Sequence, residues 1–335
     1  MLVINITMQP LETTTAYDWF KKKFNKKIPF FTFVDYKFHQ QFVLDTISKN
    51  TLTVLDCSQD PNPVLDIKIE LINVGLDDKV IFLTSNFDDY SASRNIFYFP
   101  YQFFRSKAKY KSANIYAKRK YKVSCLNRNP NTHKIYTFFK LYQFGYFDEM
   151  LISFNNVIPT GSRPLLTMQD HVINCMPDEI KKEIAKINLF RNDLADDMWD
   201  WSKLINTVNH PAFNNAYLNI ITETSYTLRC LSEKTFKPIV AGQLFTFSSA
   251  PGSLSAIHNL GFDTFDDIID SSYDSIINMY DRIDSMINIV DSIYDNIESM
   301  YESNRERILY NQQYFWSDEL ENKFIRPLDY LGIFQ

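Results

Sequence analysis

The sequence predicts an α/β protein of two lobes closed by a long amphipathic helix. Three observations carry that expectation. Apolar runs of five or six residues alternate with helical patterns before residue 100. The alternation restarts after a basic stretch at 105–122, and residues 275–301 repeat an apolar pattern every seven positions. Strand and helix in alternation mark a mainly parallel sheet covered by helices. A chain of 335 residues holds about two domains of ordinary size.

In the first lobe the strands are Pro29 to Val34, Leu52 to Asp56, Lys79 to Thr84 and Asn95 to Phe99, all rich in β-branched or aromatic residues. Tyr36 to Lys49 and Val64 to Asn73 are the helices between them. In the second lobe Tyr121 to Leu126, Ala216 to Thr222 and Leu244 to Phe247 are strands. Thr132 to Phe144, Met176 to Ile187, Asp193 to Val208 and Glu233 to Ala241 are helices. In the terminal repeat, heptad position a holds Ile276, Ile283, Val290 and Ile297, d holds Met279, Met286, Ile293 and Met300, and e holds Tyr280, Ile287, Tyr294 and Tyr301. A stripe of a, d and e is wider than a coiled-coil seam and favours a helix laid on a globular body over a dimeric coiled coil. The coiled-coil alternative leaves the oligomeric state open.

Composition narrows the class. With 45% hydrophobic and 22% charged residues the chain reads as globular and not disordered. No run of about 18 apolar residues predicts a membrane-spanning helix, and the opening MLVINITMQP has no secretory-leader pattern. The cysteines Cys57, Cys125, Cys175 and Cys230 form no CxxC pair and read as reduced thiols, which makes a cytoplasmic location the expectation. Residues 1–122 carry 18 basic and 12 acidic side chains, net +6, and the remainder 17 and 28, net −11. Such a split suits a polyanion partner on the first lobe or two ordinary solvated surfaces.

P-loop, GxGxxG, GxSxG and HExxH signatures are all missing, and His39, His133, His171, His210 and His258 show no metal-ligand spacing. No metal site is therefore expected. The densest unusual segment is Asn219 to Gly252. There Ser232 can cap a helix whose positive end attracts an anion, Lys234 can add a point charge toward a diphosphate, and Glu233 can accept from ribose hydroxyls. A plainly capped helix bearing a Glu–Lys surface pair fits the same spacing.

The ordered pieces ITET (Ile221 to Thr224), LSEK (Leu231 to Lys234), PIVAGQLFTFSSAPG (Pro238 to Gly252) and GFDTFDDIIDSSYD (Gly261 to Asp274) resemble the donor-binding part of GT-B glycosyltransferases. The similarity is strongest to the α1,3-fucosyltransferase-like group and to related glycosyltransferases inferred in phages and bacteria. LNRNP, Leu126 to Pro130, adds a basic residue where that group meets donor phosphates. FTFSS, Phe245 to Ser249, departs from the group's Val-Pro-Val strand, so the sugar stays open.

The resemblance implies two Rossmann-like lobes. An acceptor lobe would span 1–118, a nucleotide-sugar lobe 119–274, and a helical segment packing back on the body 275–335. It implies a nucleotide-sugar donor, with no separate cofactor. Arg128 and Lys234 would meet the diphosphate, Glu233 the ribose and Glu223 the sugar or its phosphate, with Ser232 and Lys237 completing the donor site. Transfer needs a general base, sought in the first lobe at Asp35 and His39 after one strand or at Asp88 and its neighbour Asp89 after another.

The basic stretch supplies Lys107, Lys109, Lys111, Lys118, Arg119 and Lys120, interleaved with Tyr110, Tyr116 and Tyr121. Cations spaced by aromatic rings suit a nucleic acid or an anionic glycan, as does KKKFNKK at Lys21 to Lys27. An acceptor hydroxyl on a modified base in DNA fits this reading. A solvated interdomain connector is the plainer one. Other acceptors, namely a surface glycan, a lipid or a protein glycan, and a non-catalytic nucleic-acid-binding protein with a degenerate form of the fold, stand as alternatives.

Overall fold

The computed structural model describes residues 28–32, 37, 39–58, 64–90, 94–127, 131–154, 173, 176–186, 191–192, 208 and 211–331. The first sheet is entirely parallel, in the order β1 (Phe30–Thr32), β2 (Thr53–Asp56), β3 (Val80–Thr84) and β4 (Ile96–Tyr98). Helices α1 (Gln40–Lys49), α2 (Val64–Asn73) and the single turn α3 (Phe87–Tyr90) connect the strands. Every residue of β2 and β3 is buried. A sheet wrapped on both faces by crossover helices demands such unbroken apolar runs.

Tyr101–Lys109 forms helix α4. The lysine-rich stretch thus begins as helix, because Tyr101, Phe103 and Phe104 turn into the core while polar side chains take the other side. Phe103 lies among the rings of Phe104, Phe236, Phe315 and Phe324, at centroid separations of 5.1, 5.6, 5.1 and 5.1 Å. Each such aromatic pair contributes about 0.5–1.5 kcal/mol beyond burial. Together they join the first lobe to helices from the second half of the chain.

The second sheet has the order β7 (Arg191–Asn192), β6 (Leu151–Phe154), β5 (Tyr121–Asn127), β8 (Ala216–Thr222) and β9 (Leu244–Ser248), with only β7 antiparallel. Helix α5 (Thr132–Gln143) follows β5, α6 (Asp178–Ile184) follows β6, α7 (Pro211–Asn214) precedes β8, α8 (Glu233–Val240) joins β8 to β9, and α9 (Ser253–Leu260) follows β9. The helix expected at Asp193 to Val208 lies outside the described residues but for Val208. At Gly242, φ is +64° and an added Cβ would stand 2.5 Å from Ile115 Cγ2, so only glycine ends α8 this close to the loop before β5.

The terminal repeat is helical but not one rod. It forms α10 (Met279–Ile293), a 3-10 turn at Tyr294–Asn296, and α11 (Ile297–Ser303), followed by α12 (Arg305–Trp316) and α13 (Asp318–Asp329). A straight helix drifts about 20° per heptad against a seven-residue repeat. The turn resets that drift and keeps Ile283, Met286, Ile287, Val290, Tyr294, Ile297 and Tyr301 buried against the body. Helices α12 and α13 reach back to the first lobe: Gln312 donates to the carbonyls of Ala113 and Val240, and Tyr98 packs on Phe324. No described helix is long and apolar enough to cross a membrane.

Candidate functional site

Winding of the second sheet reverses between β5 and β8: the chain leaves β5 toward β6 and leaves β8 toward β9. Open α/β sheets bind ligands in the crevice outside the carboxyl ends of the strands flanking such a reversal. β5 ends at Asn127 and β8 at Thr222, and the Thr222 hydroxyl donates to Asn127 Oδ1 at 2.6 Å across the reversal. The chain then enters α5 from one strand and the Glu223–Ser232 loop and α8 from the other.

Glu223 is 1% exposed and fills both carboxylate oxygens from within the protein. Oε1 accepts from Ser232 N at 2.9 Å and from the Thr235 hydroxyl; Oε2 accepts from Ser232 Oγ at 2.5 Å and Thr224 N at 3.2 Å. Glu223, expected at the sugar or its phosphate, thus knits the loop to α8. Ser232 caps α8 as expected, its Oγ accepting from Lys234 N at 3.2 Å. Lys234 Nζ stands 3.1 Å from Thr224 Oγ1, 3.3 Å from Ser232 Oγ and 3.4 Å from Glu233 Oε1. Burial alone would raise the Glu233 carboxyl, but Lys234 and Lys237 outweigh it and hold the group down at about 2. Glu233 is thus a fixed anion and acceptor at neutral pH. Lys237 is buried with Nζ 5.2 Å from the Phe213 ring, so it acts on Glu233 from the interior side.

Unlike α8, helix α5 starts without a side-chain cap, and the sequence reading did not single it out. Asn131 makes no side-chain cap; its amide instead donates to Thr224 O at 3.1 Å. The N–H groups of Thr132, His133 and Lys134 have no acceptor among the described residues. His133 is fully buried, and its Nε2 lies 2.8 Å from Glu223 O. A carbonyl only accepts, so Nε2 carries the proton and Nδ1 offers a buried lone pair without a donor. Burial, reinforced by the Lys134 charge, holds this imidazole down at about 3, and it stays neutral.

Lys134 is 3% exposed, with no hydrogen bond or ion pair to its ammonium among the described residues. Burial, then repulsion from Lys234, hold it down at about 7 against the pull of Glu223, Glu233 and Cys125.

The carboxyl ends of the two sheets meet across this loop. Ser85 Oγ is 3.1 Å from Cys230 Sγ, Asn86 bridges Cys230, and Phe87 N donates to Arg229 O at 3.0 Å. Asp88 receives Nε and Nη2 of Arg229 at 2.8 and 2.5 Å. Asp88 thus clamps the loop to the first sheet instead of serving as the free base expected there. His39 is exposed at the start of α1, and Asp35 and Arg128 lie outside the described residues. At the end of β2, Asp56 is buried and accepts from Ser58 N at 2.9 Å and Ser58 Oγ at 2.5 Å; burial raises its carboxyl against those bonds. Sequence reasoning passed over Asp56, although its place at a strand's carboxyl end was visible.

The basic stretch does not form one surface. Arg119 is 3% exposed and donates to the carbonyls of Phe213, Ala216, Ala241 and Gly242 and to the Tyr301 hydroxyl. It is a structural rivet, tying α7, β8 and the end of α8 together, with Ala216 O also accepting from the Gln243 amide at 2.8 Å. Lys107 is paired with Glu321 at 2.8 Å and also donates to Ser317 O. Both cations, expected at an acceptor surface, are thus engaged within the fold. Lys111, Lys118 and Lys120 are exposed, Lys120 with Nζ 4.8 Å from the Tyr121 ring. Lys109 ends α4, and its side chain lies outside the described part. Among the described residues no three of His, Cys, Asp and Glu are grouped to hold a metal ion.

No family model and no curated protein matches the chain. Among solved structures it is similar to one titled "Crystal Structure of alpha1,3-Fucosyltransferase", with a TM-score of 0.37 and 10% identity over 89% of this chain and 93% of that one.

Proposed function

We propose that the chain is a glycosyltransferase that binds the diphosphate of a nucleotide-sugar donor between the first turns of α5 and α8. The observation that carries this reading is the convergence, at the winding reversal of a parallel sheet, of an uncapped helix N-terminus with the two cations Lys134 and Lys234. As the glycosidic bond breaks, negative charge grows on the departing diphosphate. Fixed cations and aligned N–H groups in a site shielded from water stabilise that charge more than they stabilise the bound donor. Glu233, ionised and adjacent to Lys234, is suited to accept from ribose hydroxyls.

The acceptor hydroxyl would approach from the first sheet, whose carboxyl edge is pinned to the same loop by Asp88 and Arg229. His39 and Asp56 are the groups of that lobe suited to take its proton. Lys111, Lys118 and Lys120 remain the exposed cations for an anionic acceptor, either DNA bearing a hydroxylated base or an acidic glycan.

The test is turnover of uridine, guanosine, cytidine and thymidine nucleotide-sugars with both acceptor classes, followed by mass spectrometry. Lys234→Ala and Glu233→Gln should each lower transfer about 100-fold or more with the circular dichroism spectrum unchanged. Undiminished transfer in both variants, or salt-sensitive DNA binding without any donor turnover, would overturn the proposal.

A further inference from the structure

The segment GFDTFDDIIDSSYD, Gly261 to Asp274, contributes nothing to the diphosphate seat, yet its acidic side chains are almost all committed to the fold. Asp263 and Asp267 both pair with Arg307, each at 2.6 Å. Asp270 accepts from Ser272 N at 2.8 Å and from Ser272 Oγ at 3.0 Å. Asp274, 4% exposed, caps α9 by accepting from Leu254 N at 3.1 Å and Ser255 N at 3.0 Å. Asp266 is the exception: it is exposed and has no hydrogen bond or ion pair among the described residues. The turn that separates it from its neighbours is a costly one. Phe265 has φ +62°, alone among the described non-glycine residues, a conformation disfavoured for a bulky side chain. Its ring is held by Phe245 at 5.7 Å and by the Arg307 guanidinium at 5.2 Å.

Asp266 lines a cavity of about 170 Å³ between this loop and α9. Leu254 and Asp274 are its buried residues, while Ser255, His258 and Asn259 of α9 are exposed along it. The Asn259 amide, like Asp266, has no partner among the described residues. Two carboxylates repel an anion. His258, Asp266 and Asp274 are not grouped to hold a metal ion. An apolar ligand would strip water from polar groups and pair none of them. A sugar ring meets the remaining demands, because its hydroxyls both donate, as Asp266 requires, and accept, as the Asn259 amide and the serine hydroxyls require. The cavity has the room of roughly six waters, enough for one such ring.

We propose that this cavity is a saccharide-binding site, separate from the donor crevice, that takes one hexose ring, either free or as a residue of a glycan. Asp266 and Asn259 hold the ring's hydroxyls, the carboxylate by charge-assisted bonds. The site shares no residue with α5 or α8, so it stands or falls independently of the diphosphate reading.

The experiment is saturation-transfer difference NMR on the full chain with glucose, galactose, mannose, fucose and N-acetylglucosamine, with lactose and diacetylchitobiose, and with spermidine as a cationic comparison. At least one sugar should bind with Kd of about 1–10 mM, the range expected of so small a ligand. Asp266→Ala and Asn259→Ala, both at exposed positions, should each weaken that binding about tenfold, with the melting temperature and the response to nucleoside diphosphates unchanged. Tighter binding of a disaccharide than of its monomers would identify a glycan as the source; equal binding would identify a free sugar. No transfer to any sugar at about 50 mM, undiminished binding in the Asp266→Ala/Asn259→Ala double variant, or binding of spermidine and no sugar would overturn the site. Failure of the diphosphates to bind would overturn the donor reading and leave this site standing.

Discussion

Arg119→Met is expected to destabilise the protein by about 3–5 kcal/mol, measured by urea denaturation with circular dichroism. The guanidinium holds together four places in the second lobe. It satisfies Ala241 and Gly242 at the carboxyl end of α8, where helix carbonyls have no partner of their own, and it bonds Phe213 in α7 and Ala216 at the start of β8. Its fifth contact is the Tyr301 hydroxyl of α11, which in turn donates to Ile115 O at 3.0 Å.

Methionine fills a similar volume but removes the guanidinium donor from the carbonyls of Phe213, Ala241 and Gly242, while Ala216 O keeps the Gln243 amide, and each such loss costs about 1–3 kcal/mol. Lys118→Met and Lys120→Met, at the exposed neighbours, should change stability by no more than about 0.5 kcal/mol. A loss under about 1 kcal/mol for Arg119→Met would show that the rivet is dispensable.

Lys134→Met should do the opposite and raise stability near neutral pH by about 3 kcal/mol, or roughly 5 °C in melting temperature, while weakening diphosphate binding. The sign follows from linkage. A lysine titrating near 10.5 when unfolded and near 7 when folded binds more protons in the unfolded chain across that interval. The stability it leaves intact is therefore fully present above about 10.5 and is lost as pH falls to about 7. The shift sets a ceiling of about 5 kcal/mol at and below pH 7. The advantage of the methionine variant should accordingly shrink toward zero as pH approaches 10.5. Destabilisation by Lys134→Met at pH 7 would mark the residue as an ordinary structural lysine.

Much of the fold was legible because the burial that dictates it leaves a period in the sequence. Runs such as VIFLT and AYLNIIT can lie only in a sheet covered on both faces, and they became β3 and β8. The wide heptad stripe announced a helix laid on the body; its division by a 3-10 turn was not visible, because drift accumulates only against a fixed surface. Strand β6 and helices α4 and α9 escaped notice, α4 because its basic residues mask the two phenylalanines that anchor it.

The site was legible in part. Ser232, Glu233 and Lys234 stand together as the LSEK spacing required, since a capped first turn is a local arrangement. The roles of Glu223, Asp88 and Arg119 depend on partners 12, 141 and up to 182 residues away, which spacing does not encode. Within Lys118, Arg119 and Lys120, nothing in the dipeptides distinguishes the buried cation from its exposed neighbours. Lys134 went unseen for a related reason: only the fold shows that it is buried and close enough to Lys234, Glu223 and Glu233 to feel their charges.

The claim on which the account depends is that the crevice between β5 and β8 grips a nucleoside diphosphate. Thermal unfolding with each of the four nucleoside diphosphates at about 1 mM tests it directly, because a ligand that binds only the folded chain stabilises it by mass action. The account predicts that at least one of them raises the melting temperature of the wild-type protein and leaves that of Lys234→Ala unmoved. No rise with any of the four, or an equal rise in the variant, would contradict it.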